Sequence, residues 1–250
     1  MLRCNQVKKS FILLSGAWHG SWCWKHITPL LLKQGHSVIT PDLPGHGDDQ
    51  TPFSKITLKT YVDSVSNIVA SGKAPVTLVG HSMAGIVISQ VAENMPDKVE
   101  QLIYLAAYIP ENNSSLFQEA KKAKTPGIST EMVIDEIKNE IDLKKTGRVK
   151  DLFFNTCNKE EADEALLLLQ KEPLQPFFDP IIISEGKFGK VKKLYIECMQ
   201  DKAIQPEDQK RMYTKAGCNV TSISNADHSP FFSTPKELVN IMLELDLSKR

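Results

Sequence analysis

The sequence Val76-Thr77-Leu78-Val79-Gly80-His81-Ser82-Met83-Ala84-Gly85-Ile86-Val87-Ile88 decides the fold of this chain. An apolar, β-branched run ends at Gly80, and an apolar segment with small residues and helical spacing begins after Ser82. This order predicts a strand, a tight turn and a helix. A serine at such a turn is exposed beyond the carboxyl end of the strand and at the positive end of the helix, which makes Ser82 a candidate nucleophile. The alternative role for Ser82 is that of a helix N-cap.

The rest of the chain repeats this alternation of strands and helices. Five further apolar runs predict strands, at residues 9–15, 37–40, 99–106, 193–199 and 219–223. Amphipathic spacing predicts helices between them, at residues 22–33, 57–70, 207–216 and 235–244. This pattern indicates an α/β fold with a mostly parallel sheet flanked by helices, in which sites form at the carboxyl ends of the strands.

Residues 110–190 depart from the alternation. No strand is predicted there, and helices are predicted over 131–140 and 159–171. We therefore expect a single domain of residues 1–250, with a core of residues 1–109 and 191–250 and a helical cap insertion of residues 110–190. The insertion contains a cluster of apolar residues, which forms either an apolar underside that faces the site or part of the ordinary hydrophobic core: Leu166 to Leu169, Phe153, Phe154, Phe177 and Phe178.

Composition excludes several classes of function. The 30 basic residues balance the 30 acidic ones without a long single-sign block, which argues against a nucleic-acid or anionic-membrane partner. The apolar run Phe11 to Leu14 is too short for a signal-peptide core or a membrane span, so we expect a cytoplasmic protein. The cysteines are odd in number and scattered, which disfavours a disulfide framework and a metal site: Cys4, Cys23, Cys157, Cys198 and Cys218.

A serine nucleophile needs a base within hydrogen-bond reach, and the base needs a carboxylate that fixes its tautomer. His228 is the candidate base, because it follows the last predicted strand and precedes the final helices. The other five histidines are assigned structural roles, being in glycine-rich turns, in a helix, before a strand or beside the nucleophile: His19, His26, His36, His46 and His81.

Three carboxylates are candidates for the acid. Asp201 is favoured because it follows the strand at residues 193–199 and so reaches the same edge of the sheet as Ser82. Asp227 is weaker, because neighbouring side chains in an extended loop point apart, and Glu111 is a reserve. The order serine, aspartate, histidine is that of a serine hydrolase on an α/β sheet.

The transition state also needs donors for an oxyanion. Backbone N–H groups are the expected source: that of Met83, directly after the nucleophile, and that of Ala17, in the small-residue loop after the first strand. The alternative for this loop is an ordinary tight turn.

With these residues in hand, the chain resembles the plant methylesterase and hydroxynitrile lyase branch of the α/β-hydrolase superfamily, together with its bacterial esterase relatives. The resemblance runs nearly end to end. The stretches that carry it are Ser15 to Trp24, Asp42 to Gly47, Gly80 to Gly85, Phe154 to Cys157, Glu172 to Leu174, Asp201 to Ile204 and Asp227 to Ser229.

The resemblance implies an α/β-hydrolase fold, with Ser82 as nucleophile, His228 as base, Asp201 as acid, and Ala17 and Met83 as oxyanion donors. It implies ester hydrolysis through acyl transfer, which requires no metal or organic cofactor. The apolar residues of the insertion suggest that the substrates are small, largely apolar esters. The sequence leaves open whether the chain forms a homodimer.

Two alternatives remain beside the esterase interpretation. The first is hydroxynitrile lyase-like carbon–carbon cleavage, which is disfavoured because the lyases resemble one another in a threonine where this chain has Gly16 and a lysine where it has Ser229. The second is a ligand-binding, receptor-like hydrolase with little turnover.

Overall fold

A computed structural model describes residues 8–144 and 146–244 of the chain. Cys4, one of the five cysteines considered above, lies outside the described residues. No helix in the described ranges is long and apolar enough to cross a membrane.

A six-stranded parallel sheet forms the centre of the fold. Its strand order is β2-β1-β3-β4-β8-β9, and every neighbouring pair is parallel. The strands are β1 (Ser10–Leu14), β2 (Ser37–Ile39), β3 (Val76–His81), β4 (Val99–Leu105), β8 (Lys192–Cys198) and β9 (Asn219–Ile223). All six predicted strands are confirmed, and no bound shifts by more than one residue.

Helices cover this sheet and also form part of the insertion. They are α1 (Ile27–Lys33), α2 (Leu58–Ser71), α3 (Ala84–Asn94), α4 (Leu116–Ala120), α5 (Gly147–Phe154), α6 (Lys159–Leu168), α7 (Gln175–Phe178), α8 (Pro206–Lys215), α9 (Pro230–Ser233) and α10 (Pro235–Glu244). Helix α1 contacts α10, and α2 contacts α3. The helix predicted over 22–33 is shorter than expected, because residues 21–24 form a 3-10 turn.

The central strands are buried because their side chains are apolar on both faces. Every residue of β3 is buried, as are residues 11–14 of β1. This pattern is typical of parallel strands covered by helices on both sides. The sheet is therefore a rigid base for the segments that follow the strands.

The helix predicted over residues 131–140 is wrong. These residues form a hairpin of β5 (Met132–Asp135) and β6 (Glu140–Leu143), and β7 (Glu172–Pro173) completes a three-stranded antiparallel sheet. The turn is stabilised by Asp135, whose Oδ1 accepts hydrogen bonds from the backbone N–H groups of Ile137 (3.1 Å) and Lys138 (3.0 Å). The β-branched pair at 133–134 and this turn outweigh the helical spacing. The insertion is consequently mixed rather than helical.

Close packing at the start of α3 requires a glycine. A Cβ on Gly85 would lie 2.2 Å from the backbone oxygen of Tyr108, which follows β4. We expect Gly85→Ala to lower the free energy of unfolding by about 1–3 kcal/mol, because the backbone must shift to admit the methyl group. Urea unfolding measures this.

Gly147→Ala is the matched control, since a Cβ there meets nothing within 4 Å. Gly147 begins α5, so alanine is expected to leave stability unchanged or raise it by up to about 1 kcal/mol. Equal stability of the two variants would contradict the packing argument.

Candidate active site

Ser82 lies in the turn between β3 and α3 with a left-handed backbone, at a φ of +52°. Its N–H donates to the carbonyl of Leu105 (3.2 Å), and its carbonyl accepts from the N–H groups of Gly85 (3.2 Å) and Tyr108 (3.1 Å). A non-glycine residue with a left-handed backbone costs about 1–3 kcal/mol of conformational energy, which the surrounding structure must offset. The surrounding backbone therefore fixes a strained turn that presents the Ser82 side chain.

The N-cap alternative for Ser82 is wrong. The N-cap residue of α3 is Met83, and its side chain makes no capping hydrogen bond. The Ser82 hydroxyl instead lies 3.0 Å from Nε2 of His228.

Three side chains from distant segments form one line of hydrogen bonds. Nδ1 of His228 lies 2.8 Å from Oδ2 of Asp201, and Nε2 lies 3.0 Å from Oγ of Ser82. A carboxylate only accepts, so Nδ1 carries the proton and Nε2 is left to accept from the serine hydroxyl. His228 and Asp201 are almost fully buried, while Ser82 reaches a cavity. This geometry suits removal of the serine proton.

Asp201 is held by several donors besides His228. Its Oδ1 accepts from the N–H groups of Ala203 (2.8 Å) and Ile204 (2.9 Å), and its Oδ2 accepts from Nε2 of Gln209 (3.1 Å). Burial raises the pKa of Asp201, and His228 and these N–H groups act in the opposite direction without cancelling the effect of burial. The donors fix the carboxylate in the orientation that meets the imidazole.

Neither of the other two candidate carboxylates accepts a hydrogen bond from the imidazole of His228, whose ring partners are Asp201 and Ser82. Asp227 accepts from the N–H groups of Ser229 (3.0 Å) and Thr156 (2.8 Å), so it ties the loop after β9 to the insertion. Glu111 pairs on the surface with Lys122 (2.9 Å) and Lys215 (2.6 Å). Asp201 is therefore the carboxylate that the fold brings to the imidazole.

Two further histidines support the site. Nε2 of His81 donates to the carbonyl of His228 (2.8 Å), and Nδ1 of His19 donates to the carbonyl of Ala17 (2.8 Å). Burial lowers the pKa of His19 to about 3, opposed in part by its bond to Ala17, and burial also places the pKa of His81 well below the usual range. Both rings are neutral near pH 7 and act as hydrogen-bond donors to the backbone.

The remaining three histidines contact groups away from Ser82. Nε2 of His46 lies 2.7 Å from Glu172, Nε2 of His26 contacts Glu161, and Nδ1 of His36 accepts from the N–H of Lys9 (3.1 Å).

The predicted oxyanion donors lie beside Ser82. Ala17 and Met83 line the same cavity as Ser82, and in the described part of the chain neither of their N–H groups donates to another group. The loop that carries Ala17 packs tightly on Ser82, because a Cβ on Gly16 would lie 2.6 Å from Cβ of Ser82. Two N–H groups are thus available next to the serine, and their role in catalysis stays a prediction.

The cavity above Ser82 has a volume of about 190 Å³. Most of its wall is apolar and comes from the insertion: Leu116, Phe117, Ile128, Met132, Ile134, Phe153 and Phe177, together with Trp18 from the core. The predicted apolar underside is therefore correct for Phe153 and Phe177. It is wrong for Leu167 and Leu168, which are 86% and 48% exposed at the end of α6.

One part of the cavity wall is polar, which the sequence interpretation missed. Glu119 is buried there and forms ion pairs with Arg211 and with Lys122 (2.8 Å). Tyr108 also lines the cavity, and burial raises its pKa, so its hydroxyl stays protonated near pH 7. Its position, three residues beyond β4, could have identified Tyr108 as a candidate from the sequence.

No metal-binding constellation accompanies these residues. Within residues 8–144 and 146–244, no group of three or more histidine, cysteine, aspartate and glutamate side chains is placed to hold a metal ion.

Comparison with known proteins identifies the family of this chain. The model of the alpha/beta hydrolase family matches residues 11–241. Methylesterase 7 of Arabidopsis thaliana is 30% identical over 250 residues, which cover 95% of this chain and 96% of the relative. Salicylic acid-binding protein 2 of Nicotiana tabacum is 30% identical over 253 residues, with 95% and 96% covered.

A solved structure extends the similarity to three dimensions. The pyrethroid hydrolase from Sphingobium faniae JZ-2 aligns with a TM-score of 0.87 at 25% identity, over 97% of this chain and 99% of that chain. Two other relatives from Arabidopsis thaliana carry the word chloroplastic in their names.

The buried neutral state of His19 predicts a pH dependence of stability. Between about pH 3 and pH 6.5 the folded protein keeps this ring neutral, while the unfolded chain protonates it. The unfolded state then binds more protons, so the free energy of unfolding falls as the pH is lowered through this window. We expect His19→Asn, which keeps a donor in place of Nδ1, to reduce the slope by about 1.4 kcal/mol per pH unit.

Urea unfolding at several pH values from 4 to 6.5 measures the slope, and His26→Asn is the control because it removes an exposed histidine. Parallel curves for the wild type and His19→Asn would show that His19 does not carry this dependence.

Proposed function

Because the chain belongs to the alpha/beta hydrolase family and is a carboxylic ester hydrolase, we propose that it cleaves small, largely apolar esters through an acyl-enzyme on Ser82. The observation that carries this proposal is the line from Asp201 through His228 to Ser82, with separations of 2.8 and 3.0 Å, at the floor of an apolar cavity.

The first step is acylation. Ser82 Oγ attacks the ester carbonyl as Nε2 of His228 removes its proton, and Asp201 stabilises the imidazolium that forms. The N–H groups of Ala17 and Met83 stabilise the negative charge on the carbonyl oxygen, each contributing roughly a hundredfold to a thousandfold in rate. The tetrahedral intermediate collapses, and the alcohol leaves with the proton from His228.

The second step is deacylation. His228 removes a proton from water, the hydroxide attacks the acyl carbonyl, and the same two N–H groups stabilise the second oxyanion. Collapse returns the proton to Ser82 and releases the carboxylic acid. This mechanism uses side chains and backbone alone.

The lining of the cavity indicates the class of substrate. Residues of the insertion over 110–190 supply most of the apolar wall, so we propose that this segment is a cap that selects small apolar acyl or alcohol groups.

The partner is a small molecule rather than nucleic acid, and a homodimer stays a prediction. The predicted cytoplasmic location also stays a prediction, because the related proteins include some named as chloroplastic.

The lyase alternative is not favoured. The threonine that the lyases have at position 16 would bring its Cβ 2.6 Å from Cβ of Ser82 with the present backbone. Ser229, where the lyases have a lysine, is fully buried, and its hydroxyl has no hydrogen-bond partner in the described chain. No cationic side chain stands at that position to stabilise a cyanide leaving group.

Hydrolysis of p-nitrophenyl butyrate tests the proposal. We expect Ser82→Ala to lower kcat/KM by at least about a thousandfold, because the acyl-enzyme cannot form. Ser229→Ala is the control, since it removes another buried serine hydroxyl one residue from the base, and it should stay within about threefold of the wild type. Equal rates for the wild type and Ser82→Ala would reject the esterase proposal and favour a receptor-like protein.

A further inference from the structure

A fully buried carboxylate lies outside the line of Ser82, His228 and Asp201. Glu172, at the start of β7 in the insertion, has no exposed surface. Its Oε1 accepts from the hydroxyl of Tyr61 (2.9 Å). Its Oε2 accepts from Nε2 of His46 (2.7 Å) and from the backbone N–H of Trp18 (2.8 Å). All three donors belong to residues 1–109, so this one side chain joins the insertion to the core.

The three donors compensate for the burial of Glu172. Burial acts to lower the pKa of His46, but the charge and hydrogen bond of Glu172, together with Pro44 and Asp42, outweigh it, and the pKa of His46 is raised. Burial raises the pKa of Tyr61 well above its usual range, so this hydroxyl remains a donor. A buried carboxylate with three donors, one of them a histidine, is a defined polar cluster, and such clusters hold the backbone they contact in one arrangement.

The contact with Trp18 fixes the peptide that follows Ala17. The carbonyl of Ala17 accepts from Nδ1 of His19 (2.8 Å), and the N–H of Trp18 donates to Glu172 (2.8 Å). Both polar atoms of this peptide are therefore held by buried side chains. The sterically allowed φ and ψ values of Ala17 then limit the orientation of the preceding peptide, which carries the N–H of Ala17 and whose carbonyl accepts from the N–H of His19 (3.2 Å).

Trp18 also needs support, because its own backbone is strained. Its φ is +62°, in the left-handed region that bulky residues rarely adopt. Besides Glu172, two groups of the insertion hold it: the carbonyl of Ile141 accepts from its ring Nε1 (3.2 Å), and the N–H of Gln170 donates to its carbonyl (2.9 Å). Of these contacts, that of Glu172 bears directly on the peptide next to Ala17.

We propose that Glu172 is a positioning residue for the reaction, which orients the N–H of Ala17 toward the oxyanion by holding the N–H of Trp18. This inference rests on the proposed function and adds to it. Glu172 lies behind the loop and acts through Trp18. The insertion then serves catalysis as well as substrate selection, because a residue of β7 sets the geometry of a loop that follows β1.

The test compares three variants in hydrolysis of p-nitrophenyl butyrate. Glu172→Met has a similar length but no acceptor, and we expect kcat to fall about tenfold to a hundredfold with KM within threefold, short of the full loss of one oxyanion donor. Glu172→Gln keeps an acceptor for Trp18 and should restore kcat to within about threefold of the wild type. Tyr61→Phe removes only the contact on the other carboxylate oxygen and should also stay within about threefold.

A transition-state analogue separates positioning from a general structural role. Butylboronic acid forms a tetrahedral adduct with a serine nucleophile, so its inhibition constant should rise in Glu172→Met by the same factor as kcat falls. Thermal unfolding of each variant shows whether it is folded under the conditions of the assay. If Glu172→Met does not fold, Glu172→Ser, which leaves room for water, takes its place with the same expected losses.

The outcomes are distinct. A wild-type kcat for Glu172→Met, or a lower kcat with unchanged boronic acid affinity, overturns the positioning role and leaves the esterase proposal intact. Equal rates for the wild type and Ser82→Ala in the same assay overturn the esterase proposal itself. A parallel loss of kcat and boronic acid affinity that Glu172→Gln rescues supports the role of Glu172.

Discussion

The left-handed backbone at Ser82 is the constraint on which the site depends. Hydrogen bonds to Leu105, Gly85 and Tyr108 hold this strained turn. Two nearby glycines have no room for a side chain: a Cβ on Gly80 would lie 2.8 Å from the carbonyl oxygen of Ala84, and one on Gly16 would lie 2.6 Å from Cβ of Ser82. The close approach of Gly16 brings the loop after β1 against Ser82. The strained backbone of Ser82 and the two glycines packed beside it therefore belong to one arrangement.

The parallel sheet turns sequence distance into spatial proximity. Ser82 follows β3, Asp201 follows β8 and His228 follows β9, and β4 lies between β3 and β8 in the sheet. Because all six strands are parallel, the segments that follow them meet at one edge. Burial of Asp201 and His228 excludes water from their hydrogen bond, and electrostatic interactions are stronger in such surroundings. The neutral rings of His19 and His81 add backbone contacts without adding positive charge beside the base.

Much of this arrangement could be predicted from the sequence, because it depends on local patterns and strand order. The apolar runs identify the six strands, and the residues after β3, β8 and β9 identify Ser82, Asp201 and His228 as neighbours. Residues 131–140 were misassigned because apolar residues at helical spacing hide a hairpin whose turn depends on Asp135. The contact of Glu172 with Trp18 spans 154 residues and follows no local pattern. The sequence does not identify Gln209 either, because its amide donates to Asp201 only when the fold packs Asp201 against α8.

The central claim is that Ser82 is the nucleophile, and covalent labelling tests it most directly. Diethyl p-nitrophenyl phosphate reacts with an activated serine to give a stable phosphoryl adduct and p-nitrophenolate. We predict that inactivation releases one equivalent of p-nitrophenolate per chain, and that peptide mass spectrometry finds the diethylphosphoryl group on Ser82. Full inactivation with the label on another residue, or ester hydrolysis that persists without any label, would contradict this account.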